Sequence, residues 1–169
     1  SARITIWREF SGRDTGPVVN CRNLDNLTRG NRPALHAAQP DWNVLRGLAA
    51  RAEAALVDAD VRTLALSTRF SSAYGAAFWL ARTALESSGY RLAGGEGNRT
   101  TAFQCLAHTV EWEDNRWRRL DDLHRLRNRF DYGDIVEVSE DQVETLIRDA
   151  RQLLEAVKAA FPDLSAPAP

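Results

Sequence analysis

The chain of 169 residues has one lysine, two cysteines and no long apolar run, and each shortage excludes a class of protein. Cys21 and Cys105 lie far apart, without the Cys-x-x-Cys spacing of a metal site or a redox pair, so we expect free thiols. No apolar run approaches the roughly 20 residues that span a bilayer, and no basic segment followed by an apolar stretch opens the chain. We therefore expect a cytoplasmic protein that has no membrane partner.

The charges of the chain nearly cancel, with 22 basic and 23 acidic residues and a net charge of -1 at pH 7. Such a chain does not coat nucleic acid by bulk electrostatics, so any contact with nucleic acid must be local. Lys158 is the only lysine. Nearly all the cationic side chains are therefore arginines, which are suited to bidentate contacts with phosphate or carboxylate.

The hydrophobic pattern of residues 41–161 predicts an all-α fold, an antiparallel bundle of four to five helices. Ser139 and Gln142 have the spacing of a capping box, and Gly89 suits the end of a helix. Apolar residues recur at helical spacing in the segments 41–57, 67–88, 100–110, 115–132 and 140–157. The segment 67–88 is expected to be the central helix, because its small residues allow close approach of another helix.

The two ends of the chain lack this helical pattern. Residues 1–40 contain two β-prone pieces, 3–10 and 17–21, separated by a turn-rich stretch. These pieces predict either a short β-hairpin or an extended arm that lies on a partner subunit. The tail, residues 162–169, is expected to be disordered.

Several kinds of reactive site find no support in the sequence. His36, His108 and His124 are scattered, and no His-x-x-x-His or Cys/His cluster supplies three metal ligands, so we expect neither a metal nor a cofactor. The glycine-rich segment 94–97 has the composition of a phosphate-binding loop, but it follows a helix and lacks the Gly-Lys-Ser/Thr ending. A flexible connection between helices is the expected role of that segment.

The segment 127–132 (RNRFDY) places an arginine, an amide and a phenol near the end of the fourth predicted helix. At about 100° per residue, Arg127 lies on the border between the apolar stripe and the surface. A guanidinium there needs a carboxylate, a phosphate or a carbonyl as its partner. An ion pair with Asp131, one turn later, would make Arg127 purely structural, whereas a ligand phosphate would make it part of a site.

The order of these elements resembles the HEPN superfamily, the higher eukaryotes and prokaryotes nucleotide-binding domains. The resemblance covers residues 41–161 and implies an all-α homodimer whose arginine-bearing helices meet at the dimer axis, with RNA or a nucleotide as ligand. Many members of the superfamily are metal-independent ribonucleases of toxin-antitoxin or phage-defence systems, beside a nucleotidyltransferase, and other members only bind. The matching segments are 73–77 (AYGAA), 89–91 (GYR), 96–98 (EGN) and Arg127-Asn128-x-x-x-Tyr132.

The active motif of this superfamily is an arginine, a polar residue, three variable residues and a histidine. Arg127 and Asn128 match its first two positions, but Tyr132 stands where the histidine is expected. In the family mechanism the ribose 2'-hydroxyl attacks the adjacent phosphate, the arginine stabilises the developing charge, and the histidine moves a proton. Tyrosine titrates near pH 10 and is a poor base at neutrality. The resemblance therefore implies an RNA- or nucleotide-binding domain with weak or no nuclease activity. The alternative is an active endoribonuclease toxin that uses Arg127, Asn128 and Tyr132.

Four neighbouring residues are expected to contact the substrate: Arg125, Arg129, Asp131 and His124. The two arginines would add contacts with phosphate. His124 precedes Arg127 by about one turn and would approach the cleft from the other direction, so it does not simply replace the missing histidine. The resemblance also implies a nucleotidyltransferase-type antitoxin as a partner protein.

Overall fold

The computed structural model describes residues 21–94, 98–131 and 137–166, apart from the side chains at positions 21, 22, 130 and 131. Within these ranges the chain forms helices and one small antiparallel sheet, which confirms the predicted all-α bundle. The elements are α1 (Cys21–Asn26), β1 (Leu35–Ala37), α2 (Trp42–Ala59), α3 (Leu66–Ser87), β2 (Tyr90–Leu92), α4 (Asn98–Gln104), α5 (Leu106–Thr109), α6 (Asp114–Asp131), α7 (Glu140–Ala160) and a 3-10 turn (Pro162–Leu164).

The long helices α2, α3, α6 and α7 run antiparallel to one another in sequence order. At one end of α2, the Ala59 carbonyl accepts a hydrogen bond of 2.7 Å from Arg69 of α3. Further along, Arg51 of α2 lies 4.2 Å from the ring centre of Trp79 of α3, so residue numbers rise on one helix as they fall on the other. α7 is antiparallel to α6, as the pairs Arg119–Asp149 and Arg116–Gln152 show. α7 is also antiparallel to α2, as the pairs Glu53–Lys158 and Asp60–Arg151 show.

The centre of the bundle is α3, which packs against α2, α4, α6 and α7. Its alanines are fully buried and let the neighbouring helices approach closely, since small side chains leave room for a second backbone. Phe70, Tyr74 and Leu80 fill the remaining space and are also fully buried. The prediction that this segment is the central helix is confirmed.

Capping groups mark the ends of three helices, and the capping box and Gly89 occupy the positions predicted from the sequence. Ser139 accepts from the Gln142 backbone while the Gln142 side chain accepts from the Ser139 backbone, which completes the capping box of α7. Asp41 accepts from two backbone N–H groups at the start of α2. Gly89, with φ of +93°, follows the end of α3 in a conformation that suits glycine.

The two-stranded sheet lies at the end of α3 and joins distant parts of the chain. β1 pairs antiparallel with β2, with Leu35 opposite Leu92, and the Ala38 backbone N–H donates to the Gly89 carbonyl at 2.9 Å. Tyr90 donates its hydroxyl hydrogen to Asp25 of α1 at 2.8 Å. Residues 21–38 are therefore held against the bundle.

A second, smaller core forms beneath this sheet. It encloses the thiol of Cys105, and burial raises the pKa of that thiol to about 12. The cysteine therefore packs as a small apolar residue. The members of this core are Leu24, Leu35, Leu85, Tyr90 and Cys105.

Three segments differ from the sequence-based expectation. Residues 91 and 92, which lie between the predicted helices 67–88 and 100–110, belong to β2, and the predicted helix 100–110 is divided into α4 and α5 at Cys105. Residues 162–166, expected to begin a disordered tail, instead include a 3-10 turn with Leu164 buried, and Arg46 donates to the Asp163 carbonyl. The predicted arm or hairpin at 1–20 and the last three residues of the tail lie outside the described residues.

A buried arginine connects three of the long helices at one end of the bundle. Arg69 is only 2% exposed, and besides its bond to the Ala59 carbonyl it donates to Glu144 of α7 at 2.9 Å. Arg62 lies outside this contact, with 68% of its side chain exposed, and pairs with the same carboxylate at 3.2 Å. The two arginines therefore share Glu144 but differ in burial.

Replacing Arg69 by alanine should lower the free energy of unfolding by about 2–3 kcal/mol, because it leaves a cavity and a carbonyl without its donor. Arg62→Ala removes an exposed ion pair to the same carboxylate and should cost about 0–1 kcal/mol. Urea unfolding followed by circular dichroism measures both changes. Equal losses for the two variants would contradict a special role for the buried arginine.

Candidate functional site

The imidazole of His124 lies between two hydrogen-bonding side chains on the inner side of α6. Its Nδ1 is 3.0 Å from the Tyr74 hydroxyl oxygen of α3, and its Nε2 is 3.2 Å from the Asn128 amide nitrogen. The contact with Asn128 follows from the helix itself, because residues four apart lie on one face. With the amide oriented in this way, Asn128 donates to Nε2, and the hydrogen of the neutral ring lies on Nδ1, toward Tyr74. Both ring nitrogens are therefore engaged.

Two arginines from different helices approach the same tyrosine ring. The guanidinium carbon of Arg127 lies 5.4 Å from the ring centre of Tyr74, and that of Arg99, on α4, lies 5.7 Å from it. Arg99 also lies 4.4 Å from the ring centre of Phe78. Positive charge therefore gathers around an aromatic ring that belongs to the core, within reach of cation–π attraction. We call Tyr74, Arg99, His124, Arg127 and Asn128 the arginine–histidine cluster.

The environment of the cluster keeps both titratable rings neutral at pH 7. Burial lowers the pKa of His124, and the charges of Arg99, Arg127 and Arg125 lower it further, against an opposing effect of Asp121. Burial raises the pKa of Tyr74, although the nearby Arg99 opposes this shift. His124 therefore stays an uncharged imidazole and Tyr74 an uncharged phenol.

One acidic side chain borders the cluster and joins α4 to α6. Asp121 accepts a hydrogen bond of 2.7 Å from the Thr100 hydroxyl, next to Arg99 in the chain. This bond fixes the start of α4 relative to α6. It thereby helps to hold Arg99 on the same side of the bundle as Arg127.

This arrangement has the chemistry of an anion site. Guanidinium groups donate several hydrogen bonds to oxyanions, and the second N–H of the Asn128 amide adds a neutral donor beside them. Among the residues that the structure describes, no three His, Cys, Asp or Glu side chains gather as a metal site would require. In the same described ranges, no helix has both the length and the apolar character needed to cross a bilayer.

The sequence matches no protein-family model, and no curated protein resembles it at a significant level. The geometry of the site is therefore the basis for the functional argument that follows.

The residues predicted from the sequence are partly brought together. Arg127, Asn128 and His124 are half-buried and belong to the cluster, whereas Arg125 and Arg129 are exposed on the same helix. Tyr132 and the side chain of Asp131 lie outside the described residues, so the predicted pair of Arg127 with Asp131 stays a prediction. His124 lies beside Asn128, on the same side of α6 as Arg127, not across a cleft from them.

Two members of the cluster were not predicted as site residues. Tyr74 follows the helical apolar pattern of segment 67–88, which predicts a core position, and its ring is fully buried. Arg99 follows the glycine-rich segment 94–97 in the chain. Only the packing of α4 against α3 and α6 brings it beside Arg127, and no local spacing in the sequence indicates that contact.

A shallow pocket elsewhere in the fold is a weaker candidate for a ligand site. It lies beside Ala38, Asp41 and Tyr90, about 18 Å along α3 from the cluster, and contains the carboxylate of Glu86. That carboxylate is already paired with Arg82 at 3.1 Å and with Arg91 at 3.4 Å. Its polar group is therefore satisfied within the protein.

Removing Arg99 should raise the pKa of His124, because the guanidinium disfavours a second positive charge nearby. Asp121→Asn should lower the pKa of His124, since the carboxylate favours the charged imidazolium. A pH titration of the histidine Cε1–H signals by NMR measures both changes. The pKa of His108, which burial lowers at a separate place, should not respond to either variant. If neither substitution changed the pKa of His124, the electrostatic description of the cluster would be contradicted.

Proposed function

We propose that the protein is a divergent HEPN-like domain that binds RNA or a nucleotide, with a ligand phosphate held between Arg99 and Arg127. The observation that carries this proposal is the approach of two guanidinium groups, from α4 and α6, to the single ring of Tyr74 at 5.7 and 5.4 Å. Arginine is the side chain best suited to phosphate recognition, since its planar fork donates parallel hydrogen bonds to two oxygens.

The electrostatics of the site favour an anionic ligand over a cationic one. Arg125, exposed on α6, adds a third positive charge near His124, and among the side chains that the structure describes Asp121 is the one acid that acts on that imidazole. The overall charge of the chain is close to zero, so attraction to a phosphate has to come from this local excess of arginines. A phosphate contact of this kind positions nucleic acid without reading its sequence.

The hydrogen bonds of His124 and the protonation of Tyr74 favour binding of RNA without cleavage. A general base has to present a free lone pair to the proton that it removes, and both nitrogens of His124 are engaged by Tyr74 and Asn128. The phenol of Tyr74 stays protonated because burial raises its pKa. We therefore place weak or no nuclease activity at this site.

A metal-independent endoribonuclease is the second candidate, and the position of His124 favours it. An imidazole lies beside Arg127, the residue that would stabilise the pentavalent phosphorane formed when the ribose 2'-hydroxyl attacks. In that case Asn128 would release Nε2, His124 would take the hydroxyl proton, and the products would carry a 2',3'-cyclic phosphate and a 5'-hydroxyl. Tyr132, the third residue of the sequence motif, would act as a proton donor.

The HEPN-like proposal extends to the setting in which the protein acts. It implies a cytoplasmic homodimer from a prokaryotic toxin-antitoxin or defence system, with a nucleotidyltransferase-type antitoxin as a partner protein. These partners are part of the proposal through the family resemblance of the sequence. The arginine–histidine cluster supports the ligand class only.

Replacing Arg99 or Arg127 by alanine should each weaken binding of RNA by about tenfold, as expected for the loss of a charge-assisted hydrogen bond. Fluorescence anisotropy with a labelled single-stranded RNA at fixed salt measures the affinity. Arg118→Ala is the matched control, because Arg118 is an arginine of the same helix α6 that pairs with Asp114. Binding that the two cluster variants leave unchanged, or that the control weakens equally, would refute the phosphate site.

Incubation of the purified protein with total RNA in EDTA should leave the RNA intact if the domain only binds. Under the second candidate, RNA would be cleaved and both His124→Ala and Arg127→Ala would abolish the cleavage. Cyclic-phosphate ends on the fragments would identify the proposed chemistry. Cleavage that persists in both variants would assign the activity to another site or to a contaminant.

A further inference from the structure

The outward side of α3 carries two aromatic rings outside the arginine–histidine cluster. Gly75, Phe78 and Trp79 are half-buried, and they fall within about 100° of one another around the helix. Gly75 lies between the two rings in angle and one turn before them, and because it has no side chain the ring of Trp79 lies close over it. A Cβ atom added at Gly75 would meet only the ring of Trp79, at 3.7 Å. We call Gly75, Phe78 and Trp79 the α3 stripe.

Arginines from the neighbouring helices lie over both rings of this stripe. Arg51, exposed on α2, lies 4.2 Å from the ring centre of Trp79. Arg99, on α4, lies 4.4 Å from the ring centre of Phe78. The stripe therefore has a cationic group on each side, and each guanidinium is stacked against an aromatic ring.

The stripe is continuous with the arginine–histidine cluster because Arg99 belongs to both. Along α3, Tyr74 and Trp79 are separated by about 7.5 Å of helix rise. Arg82, on the same side of α3, is paired with Glu86 and adds no net charge. Along this surface the cationic groups and the aromatic rings come in the order Arg127, Tyr74, Arg99, Phe78, Trp79 and Arg51.

We infer that the α3 stripe extends the phosphate site into a track for several nucleotides of single-stranded RNA. This inference rests on the proposed function. One phosphate lies between Arg99 and Arg127, and Arg51 contacts a phosphate further along the strand, while unpaired bases stack on the flat guanidinium and aromatic groups beside Gly75. Stacking of bases on aromatic rings and on arginine planes is the general way in which proteins hold single strands, and it tolerates any sequence.

The chemistry of the stripe favours a single strand over other anionic partners. Bases of a duplex are stacked on each other and present only their edges, so a duplex cannot use the flat groups. An acidic peptide would pair with the arginines but has no planar groups for the rings. A single strand uses both the charge and the flat surfaces.

The test compares RNA of two lengths, because only a longer strand reaches Arg51 from the cluster. Fluorescein-labelled oligouridines of about 3 and about 12 nucleotides are titrated with the full chain, followed by anisotropy. Arg51→Ala should weaken binding of the longer RNA about fivefold and leave the shorter one unchanged. It should also reduce the slope of log affinity against log salt by about 0.7, the value for one phosphate contact. Arg127→Ala should weaken the binding of both RNAs.

Gly75→Leu provides a second variant that changes no charge. Leucine has a higher helix propensity than glycine, and its Cβ atom would be in ordinary van der Waals contact with the Trp79 ring, so the fold should persist while the larger side chain displaces that ring. Gly75→Leu should weaken binding of the longer RNA, as Arg51→Ala does. Arg148→Ala, which removes an exposed arginine from α7, is the control and should bind both lengths as the unchanged protein does.

The outcomes separate this inference from the proposed function. If Arg51→Ala and Gly75→Leu bind the longer RNA normally while Arg127→Ala does not, the track is refuted and the phosphate site stands. If Arg127→Ala also binds normally, the proposed function fails and the track fails with it. Displacement of the longer RNA by a matching duplex or by polyglutamate, at the same concentration as by unlabelled single strand, would overturn the single-strand assignment.

Discussion

Close packing around α3 is the constraint from which the positions of the other elements follow. Its buried alanines let the neighbouring helices approach closely, and larger side chains of the same helix fill the space toward α4 and α6. Tyr74 is one of these larger side chains. Its ring is held by the core, with Phe70 and Phe103 at 6.4 and 6.0 Å between ring centres. The hydroxyl that reaches His124 is therefore fixed by the packing of the protein interior.

The same packing decides the electrostatics of the arginine–histidine cluster. A guanidinium on α4 and another on α6 lie near one imidazole, so adding a proton to His124 would place three positive charges together. An anion between the arginines would relieve this repulsion. Binding of a phosphate and protonation of His124 are consequently linked, and each should favour the other.

Local pattern was sufficient to predict the long helices. Ser139 with Gln142 marks the start of α7, and His124, Arg127 and Asn128 share a side of α6 through the helical repeat alone. The strands could not be predicted, because residues 35–37 and 90–92 are short and pair across a long separation in sequence. Arg99 and Tyr74 were missed as site residues for the same reason: their contacts with α6 depend on tertiary packing.

The short sheet has a consequence for how the protein comes apart. By joining residues 35–37 to residues 90–92, it closes a loop of chain that contains all of α2 and α3. The helical hairpin is thus tied at its open end by the sheet and at its turn by the buried guanidinium of Arg69. We expect these two helices to open as one cooperative unit in hydrogen exchange, since neither can fray from its free end without first breaking the sheet.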